Sequence, residues 1–233
     1  MLQISNISKS YTGHSVLKNL SLNIPTGSIY ALLGTNGAGK TTLLRIINGI
    51  ISPDYGSVTL DDKPITLDSS SHIGYLPEER GLYRKMALGE QVIYLAMLHG
   101  MSRIEASREL DIWLERFELT EWKKRPVENL SKGMQQKVQF ISTVIHRPSL
   151  LIFDEPFSGF DPVNAELLKK EILRLNAEGA TVLFSTHNLD SVSRICTHAA
   201  ILHNGTIATS GLLSDILQPN QFINDLFFQI VQN

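Results

Sequence analysis

The stretch "GTNGAGKTT", residues 34–42, limits what this chain can become more than any other. Gly34, Gly37 and Gly39 stand beside a single lysine and two hydroxyls. Glycine accepts positive φ and lets other atoms come close to the backbone, so a loop of this composition can turn its N–H groups inward around an anion. The apolar run "SIYALLG" (residues 28–34) before it suits a buried strand. Behind it, "KTTLLRIINGI" (residues 40–50) places Leu43, Leu44, Ile47 and Ile50 on roughly one helical face. Strand, glycine loop and helix form the setting that the pattern G-x-x-x-x-G-K-[ST] demands, and Gly34, Gly39, Lys40 and Thr41 fill its fixed positions. The pattern predicts that the amides of this loop, a stretch that includes Thr35, Asn36, Gly37, Ala38 and Thr42, and the helix N-terminus cradle the α/β-phosphates. Lys40 then reaches the β/γ-phosphates and the Thr41 hydroxyl binds Mg²⁺.

Composition bounds the rest. The 233 residues, 42% of them hydrophobic, suffice for one sizeable domain with room for an inserted lobe. Net charge is −2 and lysine and arginine are scattered, so no nucleic-acid partner is expected. The single cysteine, Cys196, cannot pair within the chain and reads as a small apolar filler on a helix; no Cys/His spacing suggests zinc. No apolar run reaches the roughly 18 residues of a membrane span, and the opening "LQISNI" reads as a strand instead of a signal peptide. A cytoplasmic protein is expected, one that works at a membrane only by binding something in it.

Along the chain, the period of the apolar residues changes twice. Leu20, Leu22 and Ile24 alternate before "PTG", and "GSVTLDDKPI" (residues 56–65) reads as a hairpin, so antiparallel strands surround the glycine loop. From about Met86 to His146 the pattern is helical: "SRIE" (residues 102–105) is a capping box, followed by Leu110, Trp113, Leu114 and Phe117 at helical spacing. Strand and helix then alternate again, with Asp161 as N-cap, Pro162 at N1 and Gly179 near C′ of a long helix, which predicts a parallel sheet. "HNGT" (residues 203–206) carries a two-residue hairpin turn. The tail has an apolar stripe between Phe222 and Val231 that is expected to pack on the chain's own core.

Two further stretches narrow the chemistry. "LLIFDE" (residues 150–155) delivers Asp154 and Glu155 at the C-terminal end of an apolar strand, where open α/β sheets bind ligands. Asp154 suits Mg²⁺, and Glu155 is then free to orient and deprotonate an attacking water. In "LSKGMQQK" (residues 130–137), Ser131 and Gly133 precede an amphipathic helix running from Gln135 to about His146, which leaves a hydroxyl and free amides for a second anion.

The order of these motifs resembles the nucleotide-binding subunit of an ATP-binding cassette (ABC) transporter, over residues 1 to about 215. "GTNGAGKTT" resembles the family's Walker A and "LLIFDE" its Walker B. "LSKGMQQ", with Ser131, Gly133 and Met134, resembles the signature sequence, "SGFD" (Ser158 to Asp161) the D-loop, and "STH" the switch histidine, His187. Tyr11 and Val16 resemble the aromatic position that stacks on adenine.

The resemblance implies an α/β fold: a P-loop NTPase core with a mostly parallel sheet, an N-terminal antiparallel β subdomain and an inserted α-helical subdomain. One ABC ATPase domain would fill residues 1–233: the core with its β subdomain in 1–80 and 147–215, the helical subdomain in 81–146 and a tail in 216–233. It implies ATP and Mg²⁺, and GTP is disfavoured because no N-K-x-D stretch occurs. Catalysis would rest on Glu155 and His187, and the metal on Thr41, Glu78 and Asp154. Tyr11, Val16, the loop from Gly34 to Thr42, Ser131, Gly133, Met134, Ser158 and Asp161 would hold nucleotide across a head-to-tail homodimer or heterodimer. A separate integral membrane permease would dock near residues 78–100, keeping the protein peripheral on the cytoplasmic face of the cell membrane.

The chain departs from the pattern in two places. Glu78, in "GYLPEERGLY", stands where the family usually has glutamine, and a carboxylate there is expected to make nucleotide binding more dependent on metal. Lys132 and Met134 replace a glycine and a glutamine of the signature. Both stretches resemble the ABC-2 type exporter branch. Two other classes stay open: a soluble ABC ATPase acting on nucleic acid or a protein assembly, and a regulator that binds nucleotide without hydrolysing it. The first usually has a long coiled-coil insertion or two cassettes, and the second would be expected to lack Glu155 or His187.

Overall fold

The computed structural model describes residues 1–79 and 81–232. Arg80, inside the docking segment expected over residues 78–100, and Asn233, the last residue of the expected tail, lie outside the described residues.

The chain opens with an antiparallel pair, β1 (Leu2–Tyr11) and β2 (His14–Ile24), whose turn places Tyr11 opposite His14. Leu20, Leu22 and Ile24 are buried, as their alternation predicts. Next come β3 (Ile29–Leu33), α1 (Lys40–Ile47), and the hairpin of β4 (Tyr55–Leu60) and β5 (Lys63–Pro64), then β6 (Ile73–Leu76). A four-stranded antiparallel sheet forms in the order β2-β1-β4-β5. One expectation fails here: α1 ends at Ile47, with Asn48 as C-cap and Gly49 at φ 68°, so Ile50 lies past the helix and is exposed.

Three helices follow: α2 (Leu88–Leu98), α3 (Arg103–Arg116) and α4 (Lys132–Val144). Ser102 and Glu105 form the reciprocal capping box at the head of α3. Ser131 caps α4, which starts at Lys132, so Gly133 lies inside the first turn instead of ahead of the helix. The serine cap accounts for this earlier start, since its side chain accepts the Met134 N–H.

The chain then returns to alternation with β7 (Leu150–Asp154), α5 (Pro162–Ala177), β8 (Thr181–Thr186), α6 (Leu189–Ile195), the hairpin of β9 (His198–His203) and β10 (Thr206–Leu212), and α7 (Leu213–Ile216) and α8 (Ile223–Gln232). The six-stranded sheet has the order β10-β9-β3-β8-β7-β6, with parallel pairing everywhere except β9 and β10. The strands β3, β7 and β8 are buried along their whole length, as strands covered on both faces should be. On one face they meet α1 and the antiparallel sheet; on the other they meet the three helices of the lobe together with α5, α6 and α8.

The lobe is tied to the core through Glu171 of α5. Its buried carboxylate accepts from Arg116 Nη1 of α3 at 3.0 Å and from Arg174 Nε at 2.9 Å. Both guanidinium groups also lie over the Trp113 ring, at 5.3 and 5.2 Å from its centroid. Cys196 sits at the C-cap of α6 instead of within a helix, and burial raises its thiol pKa well above the usual range, so it stays protonated. In α8, Ile223 and Phe227 are buried and Leu226, Ile230 and Val231 pack against the core, as expected of the tail's stripe, while Phe222 just before the helix and Phe228 are exposed. Among the described residues no helix is long and apolar enough to cross a membrane.

His146, just past α4, stacks on His99 at 4.0 Å between ring centroids. Burial, assisted by the His99 charge, lowers its pKa to about 4. The folded state therefore binds fewer protons than the unfolded chain between pH ~6.5 and ~4. Stability should rise with pH across this window and fall as pH drops through it, by up to roughly 3 kcal/mol. Urea midpoints measured against pH should show that loss in the wild type and a flatter profile in His146→Gln.

Candidate nucleotide site

The site is built where β3, β7 and β8 end side by side, the edge at which parallel sheets bind ligands. Between β3 and α1 the chain must turn in almost no space. A Cβ on Gly34 would stand 2.6 Å from the Leu202 carbonyl oxygen, and one on Gly39 would stand 2.8 Å from Leu17 Cδ2. Gly39 also takes φ 106° as N-cap of α1, a conformation that side-chain-bearing residues rarely adopt. Lys40 is folded back over this loop: its buried Nζ donates to Gly34 O at 2.8 Å and Thr35 O at 3.2 Å. Burial lowers its pKa, and the charges of Glu155, Asp154 and Glu78 oppose that shift.

Opposite the loop, Asp154 ends β7 and is paired in register with Ser185 of β8. The Ser185 hydroxyl donates to Asp154 Oδ1 at 2.5 Å, while Oδ2 is buried with no hydrogen-bond partner among the described residues. Ser185 also accepts the Glu155 N–H, at 3.1 Å to Oγ and 3.2 Å to the carbonyl. Those bonds hold Glu155 at φ 50°, a left-handed conformation uncommon for a residue with a side chain and frequent at functional sites. Its Oε1 lies 2.8 Å from His187 Nδ1. An ionised carboxylate can only accept, so Nδ1 carries the proton and Nε2 is the ring atom left for another partner.

These groups face one cavity of about 580 Å³, lined by Tyr11, Val16, Asn36, Gly37, Gly39, Lys40, Thr41, Thr42, Glu78, Asp154, Glu155 and His187. The sequence-predicted set is thus divided. Gly34, Thr35 and Ala38 belong to the loop behind the lining, whereas Ser131, Gly133, Met134, Ser158 and Asp161 lie outside the cavity. Both Asp161 oxygens are engaged at the head of α5, by the N–H groups of Val163 and Asn164 at 3.0 Å and by the Asn164 amide at 2.5 Å. Sequence reasoning missed Ser185, although a hydroxyl two residues before His187 on an apolar strand was a usable signal.

The cavity fits a metal-bound triphosphate. Three carboxylates and one ammonium leave its wall net negative, so a phosphate chain enters favourably only with a cation between them. Among the described residues no group of three or more His, Cys, Asp or Glu could hold a metal by itself. Mg²⁺ takes one or two carboxylates and draws its other oxygens from substrate and water. The buried, unpartnered Asp154 Oδ2 is the oxygen such an ion would satisfy.

Comparison with known proteins gives the same reading. A family model described as "ABC transporter" matches residues 17–158. The uncharacterized ABC transporter ATP-binding protein YhaQ of Bacillus subtilis is 48% identical over 93% of this chain and 72% of its own length. The solved structure of an ATP binding subunit of an ABC transporter superposes with a TM-score of 0.92 at 32% identity, covering 99% of both chains. The dimeric post-hydrolysis structure of the ATP-binding cassette MJ0796 with ADP and Pi reaches 0.83 at 25% identity, covering 91% of this chain and 99% of that one. Such subunits hydrolyse ATP, dimerise and work with a membrane permease, and this chain belongs to the ABC transporter family as one of its ATP-binding subunits.

Proposed function

We propose that two copies of this chain, or one copy and a related subunit, close head to tail on two Mg-ATP and drive a separate permease of the exporter branch. One observation carries the reading. The P-loop cavity gathers Lys40, Thr41, Asp154, Glu155 and His187, yet Ser131 and Gly133 sit outside it at the head of α4, so the signature has no nucleotide to meet within its own chain. A two-fold arrangement gives each signature the partner's triphosphate.

In this reading the loop amides and Lys40 bind the phosphates, and Tyr11, at the end of β1, stacks on the base. Thr41, Asp154 and Glu78 would hold Mg²⁺, which neutralises charge between phosphate oxygens and the acidic wall. Glu155, aimed by Ser185, takes the proton of the attacking water, and His187 steadies the carboxylate while Nε2 faces the γ-phosphate. Hydrolysis removes the group that the partner's Ser131 grips, at roughly 1.5–3 kcal/mol per charge-assisted bond, and the pair opens. The permease would dock on the segment that presents Tyr83, Tyr94, Met97 and Leu98 to solvent, where the Tyr83 and Tyr94 rings meet edge to face. The exporter branch is supported by "LPEERGLY" and "LSKGMQQK". The protein would then lie on the cytoplasmic face of the membrane through its permease.

Ser131→Arg tests the arrangement. The variant should bind ATP as a monomer with wild-type affinity and fail to form an ATP-held dimer on size exclusion. Loss of monomer affinity together with the dimer would contradict a role in trans. In the same titration the wild type should bind ATP more weakly once Mg²⁺ is removed, and equal affinity would take Glu78 out of the metal set.

A further inference from the structure

Beside the nucleotide cavity lies a second one of about 350 Å³, which shares Glu78, Asp154 and Glu155 and is also lined by Gln136, Gln139 and Ser158. The two glutamines stand three residues apart on α4, hence on one face. Gln136 Nε2 donates to the main-chain oxygen of Ser158 at 2.7 Å. Its Oε1 is buried with no hydrogen-bond partner among the described residues, so the donor end makes the specific contact. Gln139, 8% exposed, donates from Nε2 to the main-chain oxygens of Pro77 and Glu79, both at 3.3 Å, and so straddles Glu78. The fit at residue 159 is close as well, since a Cβ on Gly159 would stand 3.4 Å from Gln136 Nε2. Neither glutamine lines the nucleotide cavity.

From this juxtaposition we propose that Gln136 and Gln139 are positioning residues, which make α4, the segment 77–79 and the segment 158–159 move as one body. A displacement of Ser131 at the head of α4 is then delivered to Ser158 through one amide and to Glu78 through the other. This rests on the reading of Ser131 as a contact to the partner's nucleotide. Because all three bonds end on main-chain oxygens, they fix where the two loops lie whatever side chains those loops carry. Closure over one nucleotide would thereby set the acidic wall of the other.

The test uses the full chain with Gln136→Leu and Gln139→Leu, which remove the donor and keep most of the volume. Each should lower kcat about 10-fold by misplacing the loops, while the ATP Kd of the monomer stays within about 3-fold of wild type. The thermal midpoint should fall by only about 2–4 °C, the amount one lost hydrogen bond implies for a chain of this size. Gln136→Glu and Gln139→Glu keep the shape and aim an acceptor at the carbonyls, so they carry the same prediction if a leucine variant does not fold. Wild-type kcat in both positions with that same loss of thermal midpoint would make the contacts merely structural and overturn the proposal, as would a roughly 10-fold weaker monomer Kd. Absence of ATP turnover in the wild type would overturn the underlying reading of the site, and the glutamine proposal with it.

Discussion

Replacing Glu155 by glutamine is expected to leave ATP binding intact, slow hydrolysis by about 10² to 10⁴, and accumulate an ATP-held dimer on size exclusion. The amide has the shape of the carboxylate and can still meet His187 Nδ1, now 2.8 Å from Oε1, but it cannot accept a proton from water. The left-handed backbone at residue 155 is held by Ser185, which the substitution does not touch, so the side chain should keep its aim. Because hydrolysis is what opens the pair, blocking it should trap the closed state. Wild-type turnover would show that another group takes the proton. Slow turnover without an accumulating dimer would separate hydrolysis from association.

Lys40→Ala should weaken ATP binding by about 10- to 10²-fold and abolish turnover, since the charge-assisted bond of the ammonium to phosphate, roughly 1.5–3 kcal/mol, is lost. The effect is aggravated by what remains. Without the ammonium, Glu78, Asp154 and Glu155 face the phosphates with no cationic side chain among the cavity's lining residues to offset them. Lys40 also uses two of its three protons on the carbonyl oxygens of Gly34 and Thr35, so the loop itself should loosen. Equilibrium titration with labelled ATP, alongside circular dichroism to verify folding, reads both effects. Retained hydrolysis would remove the glycine loop from the account.

What could be read from the sequence was what local chemistry decides. The glycine loop, the capping box at Ser102, the Asp161 cap and the Asn204-Gly205 turn are each specified by residues within a few positions of one another. Ile50 was misplaced because apolar spacing continues past the point where Asn48 and Gly49 end the helix. The head of α4 was misjudged because Gly133 reads as a helix breaker, whereas the Ser131 cap permits a glycine in the first turn. Ser185 gains its meaning only from the register that sets it beside Asp154, and the strand order β10-β9-β3-β8-β7-β6 is a long-range property that no single window holds. Gln139 shows the same limit, since its partners lie 60 and 62 residues away in the chain.

The most direct measurement is a crystal structure of the Glu155→Gln protein with trapped Mg-ATP. The account predicts two triphosphates at the interface, each held by the Lys40 loop of one subunit, with Ser131 of the other within about 3 Å of the γ-phosphate. ATP bound at the loop with Ser131 turned away from any triphosphate would contradict it.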